Sequence, residues 1–469
     1  MLTIALDVNK KEPLYEQIYT YIREEIRTGN LECGSKLPSC RSLAAHLGVS
    51  RNTVDMAYAQ LLSEGYIENM PRRGYFISKI EGLANLHMHQ EEKVECKPKK
   101  RDNILIDFSP NGVDMNAFPY NCFRRLNKEV MMEINSELFQ TGDAQGELSF
   151  RKAIRQYLHE SRGVNCHEDQ IIIGAGNDYL ILLLTQILGF HQMIAMENPA
   201  YLKPYSIFRK MEYEIEAISV DEQGICTEEL EQSKAQLLYV TPAHQYPTGF
   251  VMPIQRRLKL LEWANQEEGR YIIEDDYDSE FRYQGKPIPS LQSIDRQQKI
   301  IYCGTFSKAI APAIRISYLV LPWKLYELYK QRVGFLACTV SRTDQKILEL
   351  FITEGYFERH LNKMRGVYKN KRDTLVKLCK QFEPYIQVKN ASTGLHILLE
   401  CHTKKEEKEL IMLAREHGVK VYGISEYAIE ERVGFSYPML ILGFAKLQEE
   451  DIKKGISLLS QAWKNVWLD

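Results

Sequence analysis

The sequence predicts a multidomain protein, a small N-terminal winged helix-turn-helix followed by a larger α/β domain. Three observations carry the prediction. At 469 residues the chain is longer than one hydrophobic core ordinarily organises. Its first eighty or so residues combine helical periodicity, capping residues and a hairpin signal. Beyond about residue 105, short continuous apolar runs alternate with helical patterns, which marks a parallel or mixed sheet with helices on both faces. The expected boundaries are 11–79 for the winged helix, 80–104 for a linker and 105–469 for the α/β domain.

The first helix reads PLYEQIYTYIREEIRTG, with Leu14, Ile18, Ile22 and Ile26 on one stripe and Gly29 as its stop. Ser39 is placed to cap a second helix through CRSLAAHLG. Ser50 caps a third through RNTVDMAYAQLLSEG, in which Val54, Ala57, Tyr58, Leu61 and Leu62 share the buried face. Two short helices joined by Gly48-Val49-Ser50 make a helix-turn-helix. The third helix then presents Arg51, Asn52 and Thr53 on its exposed first turn, side chains suited to the bases and phosphates of a major groove. YIENMPRRGYFIS follows as two strands about a turn, a wing that can lay Arg72 and Arg73 along a phosphate backbone. Residues 36–79 hold six Lys/Arg against three Asp/Glu, although the whole chain has a net charge of -2. The basic character is local, as binding to a DNA duplex requires.

From about residue 81 the periodicity is lost in EGLANLHMHQEEKVECKPKKRDN, a polar, charge-mixed stretch that reads as the linker. His87 and His89 lie there without ligand spacing to any cysteine or carboxylate, so no metal site is expected. Ten cysteines without a CxxC pair fit reduced thiols better than a disulfide framework. No basic segment followed by an apolar one opens the chain. The longest apolar run, 179–190, is broken by Thr185 and Gln186 and is too short to span a bilayer. A cytoplasmic protein that does not enter the membrane is expected.

In the α/β domain the strands are expected at QIIIGAG, QMIAMENP, AQLLYVTP, RYIIEDD and KIIYCGT, each closing on polar, Gly or Pro residues. Ligands of such sheets bind beyond the carboxyl ends of the strands. Gly174-Ala175-Gly176 opens a helix near Asn177, where amide groups and the helix dipole favour a phosphate. A dinucleotide fingerprint would need glycine at Tyr179. After the fourth run come Asp275, Asp276 and Tyr277, and after the fifth Thr305, Ser307 and Lys308, with Arg315 further on. A lysine for a Schiff base, an aspartate for a pyridinium nitrogen, and hydroxyls, a guanidinium and a helix N-terminus for a phosphate are what pyridoxal 5'-phosphate requires. A lysine buried there stays nucleophilic if its pKa is depressed.

The N-terminal segment KLPSCRSLAAHLGVSRNTVDMAYAQLLSEGYI, 36–67, resembles the GntR family winged-helix pattern. That resemblance implies DNA contacts by Arg41, Arg51, Thr53, Arg73 and Gly74, beside the Asn52 read from the helix itself. From about residue 107 the chain resembles the fold type I aminotransferases, on GDAQGELSFRKAIRQYL, ENPAY, TPAHQYPTG, EDDYDSEFRY and GTFSKAIAPAIRISYLVLP. The two together resemble the MocR subfamily of GntR regulators. The resemblance implies a smaller C-terminal subdomain from about 335, Lys308 as the Schiff-base lysine, Asp275 as pyridinium partner, Tyr277 as donor to the cofactor's ring oxygen and Tyr201 as a stacking ring. It further implies a phosphate cup of Ala175, Gly176, Thr305, Ser307 and Arg315, and a homodimer binding repeated half-sites.

Three departures bear on function. Where aminotransferases carry asparagine before PTG, this chain has Tyr246, so His244, Gln245 or Tyr246 must fill that space. Ile441 stands where many of them carry the arginine that grips a substrate carboxylate, and isoleucine offers no bidentate bond. Lys203 occupies the place where the GABA-responsive regulator is expected to hold its effector by an arginine, and Arg432 is near in sequence. The reading is a transcription regulator that binds double-stranded DNA and is controlled by pyridoxal phosphate, a small amine or an amino acid. Its rival is an active aminotransferase with an accessory DNA-binding head.

Overall fold

The computed structural model describes residues 12–79, 103–132, 136–283, 288–430 and 434–467, with residues 2, 4–7, 10 and 285. The chain separates into two compact units, Met1–Arg101 and Asp102–Asp469. Most of the expected linker, including His87 and His89, lies outside the described residues, and so does Arg432.

The first unit holds α1 (Leu14–Arg27), α2 (Cys40–Leu47), α3 (Arg51–Ser63), β1 (Ile67–Met70) and β2 (Gly74–Ile77). The stripe of α1 buries Ile18, Ile22 and Ile26, and Gly29 takes φ +77° just past the helix end. Both serine caps form: Ser39 Oγ accepts from the Ser42 amide at 3.2 Å and Ser50 Oγ from the Thr53 amide at 3.1 Å. Each such cap contributes about 1 kcal/mol. Between α2 and α3 the chain turns at Gly48, whose φ of +68° belongs to the left-handed region. Val54, Ala57, Tyr58 and Leu61 are wholly buried, but Leu62 is 39% exposed, a correction to the expected face. One residue beyond Leu61 is about 100° further round the helix, which carries Leu62 off the stripe. β1 and β2 pair antiparallel from Ile67↔Ile77 to Met70↔Gly74, forming the wing.

The second unit opens with β3 (Ile106–Asp107) and is built on an eight-stranded sheet. Its strands are β4 (Ile171–Gly174), β5 (Met193–Asn198), β6 (Glu214–Asp221), β7 (Gly224–Ile225), β8 (Leu237–Val240), β9 (Tyr271–Asp276), β10 (Ile300–Thr305) and β11 (Ser317–Val320). The five expected runs are β4, β5, β8, β9 and β10. The order is β4-β11-β10-β9-β8-β5-β6-β7, parallel through β10, β9, β8, β5 and β6, with β11 and β7 antiparallel to their neighbours. Ile171 and Ile173 pack in one apolar core while Ile172 packs in another, so both faces are covered and the strands read as unbroken apolar runs.

A second sheet is made of β12 (Ile386–Lys389), β13 (His396–Cys401), β15 (Tyr422–Gly423) and β16 (Met439–Gly443), all antiparallel in the order β12-β13-β16-β15. β3 pairs in parallel with β14 (Val419–Lys420), which ties the start of this unit to its end. The closeness is steric as well. A Cβ on Gly443 would lie 2.1 Å from the Ser109 carbonyl oxygen, so only glycine lets this stretch approach β16. The stretch continues to Pro110 and Asn111, which reach the functional site from the far end of the chain.

Candidate functional site

The carboxyl ends of β4, β5, β8, β9 and β10 lie along one edge of the large sheet. Because β11 runs antiparallel, the residues before it join the same edge. A cavity of about 260 Å³ opens there. Gly176, Tyr201, Lys203, Asp275 and Tyr277 line it, as do Thr305, Ser307, Lys308 and Arg315. Ala175 does not. Its amide donates to Thr339 Oγ1 at 2.9 Å, which removes it from the expected cup.

Asp275 is 2% exposed. Asn177 Nδ2 donates to both its carboxylate oxygens at 3.1 Å and the Tyr239 hydroxyl donates to Oδ2. Burial pushes its carboxyl up to about 6, against the bonds from Tyr239 and Asn177. Asp276 points to the other face of the sheet, since side chains alternate along a strand. There it accepts from Arg162 Nε at 2.7 Å and from the Tyr302 hydroxyl at 2.5 Å. Of the two aspartates, Asp275 is the one free to meet a cation in the cavity.

Lys308 donates to the Pro110 carbonyl at 3.3 Å. Burial pulls its ammonium down to about 8, against the attraction of Asp278. Such an amine is roughly one-tenth neutral at pH 7, where an ordinary lysine is almost wholly charged. Covalent capture of added pyridoxal phosphate is therefore expected to accelerate about tenfold per pH unit up to about 8 and to level off above it, which stopped-flow absorbance would record.

The phosphate end has a steric signature. Gly176 has φ +92°, and a Cβ on it would lie 2.5 Å from Arg315 Nη2, so the guanidinium approaches the helix start only because that residue is glycine. Arg315 Nη2 donates to the Ala175 carbonyl at 3.2 Å and lies 3.6 Å from Asp178. Lys203 Nζ lies 3.7 Å from the same carboxylate. Thr305 Oγ1 accepts from the Ser307 amide at 3.2 Å and from Ser317 Oγ at 2.8 Å. A buried carboxylate, a depressed lysine, an open helix start and a guanidinium fit pyridoxal phosphate as a set.

The TPAHQYPTG loop is buried throughout. Tyr246 lines the cavity, with its ring centroid 5.4 Å from that of Tyr201. Gln245 is spent inside the loop, donating to the carbonyls of Pro199 and Tyr246 at 2.9 Å, and His244 pairs with Asp278. Of the three residues weighed for that space, Tyr246 is the one that lines the cavity. Ile441 is fully buried in β16 against Leu398, Ile424 and Met439. Asn111, Asn177, Asp178, Tyr239 and Thr241, all at or beside the cavity, were not expected from the sequence. Asn177 and Asp178 directly follow the glycine motif and could have been read from it. Tyr239 needs the pairing of β8 with β9, and Asn111 needs the return of the chain.

On the first unit, Arg41 and Asn52 are exposed, and the Arg51 side chain is 71% exposed with Nε 3.3 Å from Asp55. Thr53 is half-buried and its hydroxyl lies 2.8 Å from Ser50 Oγ, so it is engaged in the cap. Arg51 and Asp55 act electrostatically on Cys40 at the start of α2 and on Tyr75 in the wing, which brings the three elements together. Arg73 is exposed, with its guanidinium carbon 5.5 Å from the centre of the Phe76 ring, and Gly74 takes φ +101° at the turn.

Bacterial regulatory proteins of the gntR family match residues 14–77, and aminotransferases of class I and II match residues 104–441. The chain is 38% identical to the HTH-type transcriptional regulator YdeL of Bacillus subtilis, over 96% of this chain and 97% of that protein. It is 30% identical to the probable rhizopine catabolism regulatory protein MocR of Rhizobium meliloti, over 98% of this chain and 96% of that protein. A kynurenine aminotransferase of Pyrococcus horikoshii, solved in complex with PMP, is similar with a TM-score of 0.70 and 25% identity, over 78% of this chain and 91% of that one. Among the described residues no helix is long and apolar enough to cross a membrane.

Proposed function

The chain belongs to the MocR subfamily of GntR transcription regulators, a DNA-binding head joined to an aminotransferase-type body for pyridoxal phosphate, and from that premise we propose that the cofactor pocket senses a primary amine and thereby controls operator binding. The observation that carries the reading is the cavity itself: Lys308, Asp275, Tyr277, Gly176 and Arg315 converge in it, while Ile441 leaves no guanidinium at the place of a substrate carboxylate clamp. A protein that binds the cofactor but holds an amino acid loosely is suited to reporting on the amine.

Pyridoxal phosphate supplies an aldehyde that condenses with primary amines. The chain does the rest. Burial keeps part of Lys308 neutral and so nucleophilic. Asp275, held by Asn177 and Tyr239, pairs with the positive ring nitrogen. Tyr277 would donate to the ring oxygen and Tyr201 would lie against the ring, both lining the cavity. Gly176, Thr305, Ser307 and Arg315 take the phosphate, with Ala175 contributing only its carbonyl to Arg315. Lys203, 62% exposed and 3.7 Å from Asp178, would meet an effector carboxylate in exchange for that partner. In the head, Arg41, Arg51, Asn52, Thr53, Arg73 and Gly74 form the face offered to double-stranded DNA. A homodimer presenting two heads to repeated half-sites in the cytoplasm completes the reading, and the exposed Phe335 and Phe139 support a second copy. The effector moves the operator affinity only by as much as it prefers one arrangement of the dimer over the other.

The test is a titration of the cofactor-loaded protein with amines and amino acids, followed by its visible spectrum and by fluorescence anisotropy of a labelled operator fragment. Amine-dependent spectral change with a parallel change in operator affinity is expected. Complete conversion to a pyridoxamine form that a keto acid reverses, with unchanged operator affinity, would favour the second reading, an active aminotransferase, which the intact cofactor residues support.

A further inference from the structure

We infer that His244 and Asp278 form a positioning pair behind the pocket that fixes the Tyr277 hydroxyl so that its proton points into the cofactor cavity. This rests on the reading of Tyr277 as donor to the cofactor's ring oxygen. Neither His244 nor Asp278 lines the cavity, so they act through Tyr277.

The argument begins at one nitrogen. His244 Nδ1 lies 3.0 Å from both carboxylate oxygens of Asp278 and 2.8 Å from the Tyr277 hydroxyl oxygen. An ionised carboxylate only accepts, so Nδ1 carries the ring proton. Toward Tyr277 the histidine is then a donor, and the phenol cannot give its own hydrogen back to Nδ1. Tyr277 has one hydrogen, and its ring lines the cavity. That hydrogen is left for whatever oxygen the cavity holds.

The other nitrogen supports the same tautomer. His244 is 2% exposed, and among the described residues Nε2 has no hydrogen-bond partner. It borders a small cavity of about 10 Å³ that Arg162, Thr393, Asp278 and Arg282 also line. Among the described residues, Arg162 Nη2 and Thr393 Oγ1 are likewise buried without a hydrogen-bond partner. A bare Nε2 is the acceptor that this donor-rich space calls for, and there is room for one bridging water. The opposite tautomer would add a third donor there and turn a lone pair to Asp278.

The ring is held in place on both sides. A Cβ on Gly394 would fall 1.8 Å from His244 Cε1 and one on Gly249 3.2 Å from Nε2, so the slot tolerates glycine alone. The His396 ring packs at 5.0 Å, itself held by a bond from Nε2 to the Pro247 carbonyl at 2.9 Å. Among the described residues, the charged and titratable groups facing His244 are Asp278, Tyr277 and Arg282 beyond β9, His396 on β13 and Arg162 on the helix Leu148–Arg162, with Lys308 reached through Asp278.

A hydrogen bond to the ring oxygen stabilises its anionic form, so misdirecting Tyr277 moves the pH midpoint of the visible cofactor band upward. Titration of that band in the full-length, cofactor-loaded protein tests this. His244→Leu is expected to raise the midpoint by roughly one unit, a tenfold change in proton affinity. His244→Asn, which keeps a donor near the Nδ1 position, restores most of it. Tyr277→Phe raises the midpoint as far or further, and His244→Leu adds nothing in the Tyr277→Phe background. Should His244→Leu not fold, Asp278→Asn, which removes the demand for a proton on Nδ1, carries the same expectation. An unchanged midpoint in the folded variant, or a shift that adds in full to that of Tyr277→Phe, overturns the proposal. An unchanged midpoint in Tyr277→Phe alone overturns the role of Tyr277 from which it starts.

Discussion

Lys308→Ala is expected to abolish the visible cofactor band altogether, and with it any spectral response to amines. Among the described residues the cavity is lined by Lys308 and by two further cations, Lys203 and Arg315, which are 62% and 53% exposed and engaged with Asp178. The fold should survive the change. Lys308 titrates at about 8 in the folded chain against 10.5 for an ordinary lysine, so its charged form is disfavoured by folding. That penalty is complete below pH 8 and fades as pH rises towards 10.5, because only then does the unfolded chain also lose the charge. The cofactor-free variant should therefore melt no lower than the parent at pH 7, and any gain in melting temperature should shrink at higher pH. A surviving band would remove Lys308 from its assigned role, and thermal melting distinguishes that result from loss of the fold.

The second large effect belongs to the head. Arg51→Ala should weaken operator binding by about 1–3 kcal/mol, some tenfold to a hundredfold, and should relax discrimination at one base position. Arg51 extends from the first turn of α3 with its side chain 71% exposed, paired with Asp55 on its own helix. Arg73→Ala should weaken all sequences alike and lower the salt slope by about one, because a wing arginine meets phosphate rather than base edges. Thr53→Val should cost less than either, since the Thr53 hydroxyl is occupied by Ser50 and the cap itself uses the Ser50 side chain and the Thr53 amide. Anisotropy titrations of specific and scrambled duplexes at several salt concentrations separate the three. Equal losses on both duplexes for Arg51→Ala would take it out of base readout.

The two kinds of information in the chain divide cleanly around these sites. Ser39 and Ser50 were legible as caps and the five apolar runs as strands because capping and periodicity act over a few neighbouring residues. Gly176, Asp275, Lys308 and Arg315 were legible as one site because strand ends of such a sheet share an edge, so motifs far apart in sequence have one place to meet. The limits are equally physical. Leu62 was assigned to a buried face that the helix turns away from, and Ala175 to a cup in which its amide is already given to Thr339.

What the sequence by itself determined is therefore the family of the protein and most of the residues that meet in its cavity. Only the tertiary structure decided which partner each of those residues meets. Asp275 faces the pocket while Asp276 turns to Arg162, because adjacent side chains leave a strand on opposite faces. Tyr239 reaches Asp275 from the neighbouring strand, Asn111 enters from a stretch packed against β16, and His244 sits behind Tyr277 in a slot closed by Gly394. Each of these contacts depends on strand order and register, which are settled by pairing over long stretches of chain and leave no mark in the spacing of a local motif.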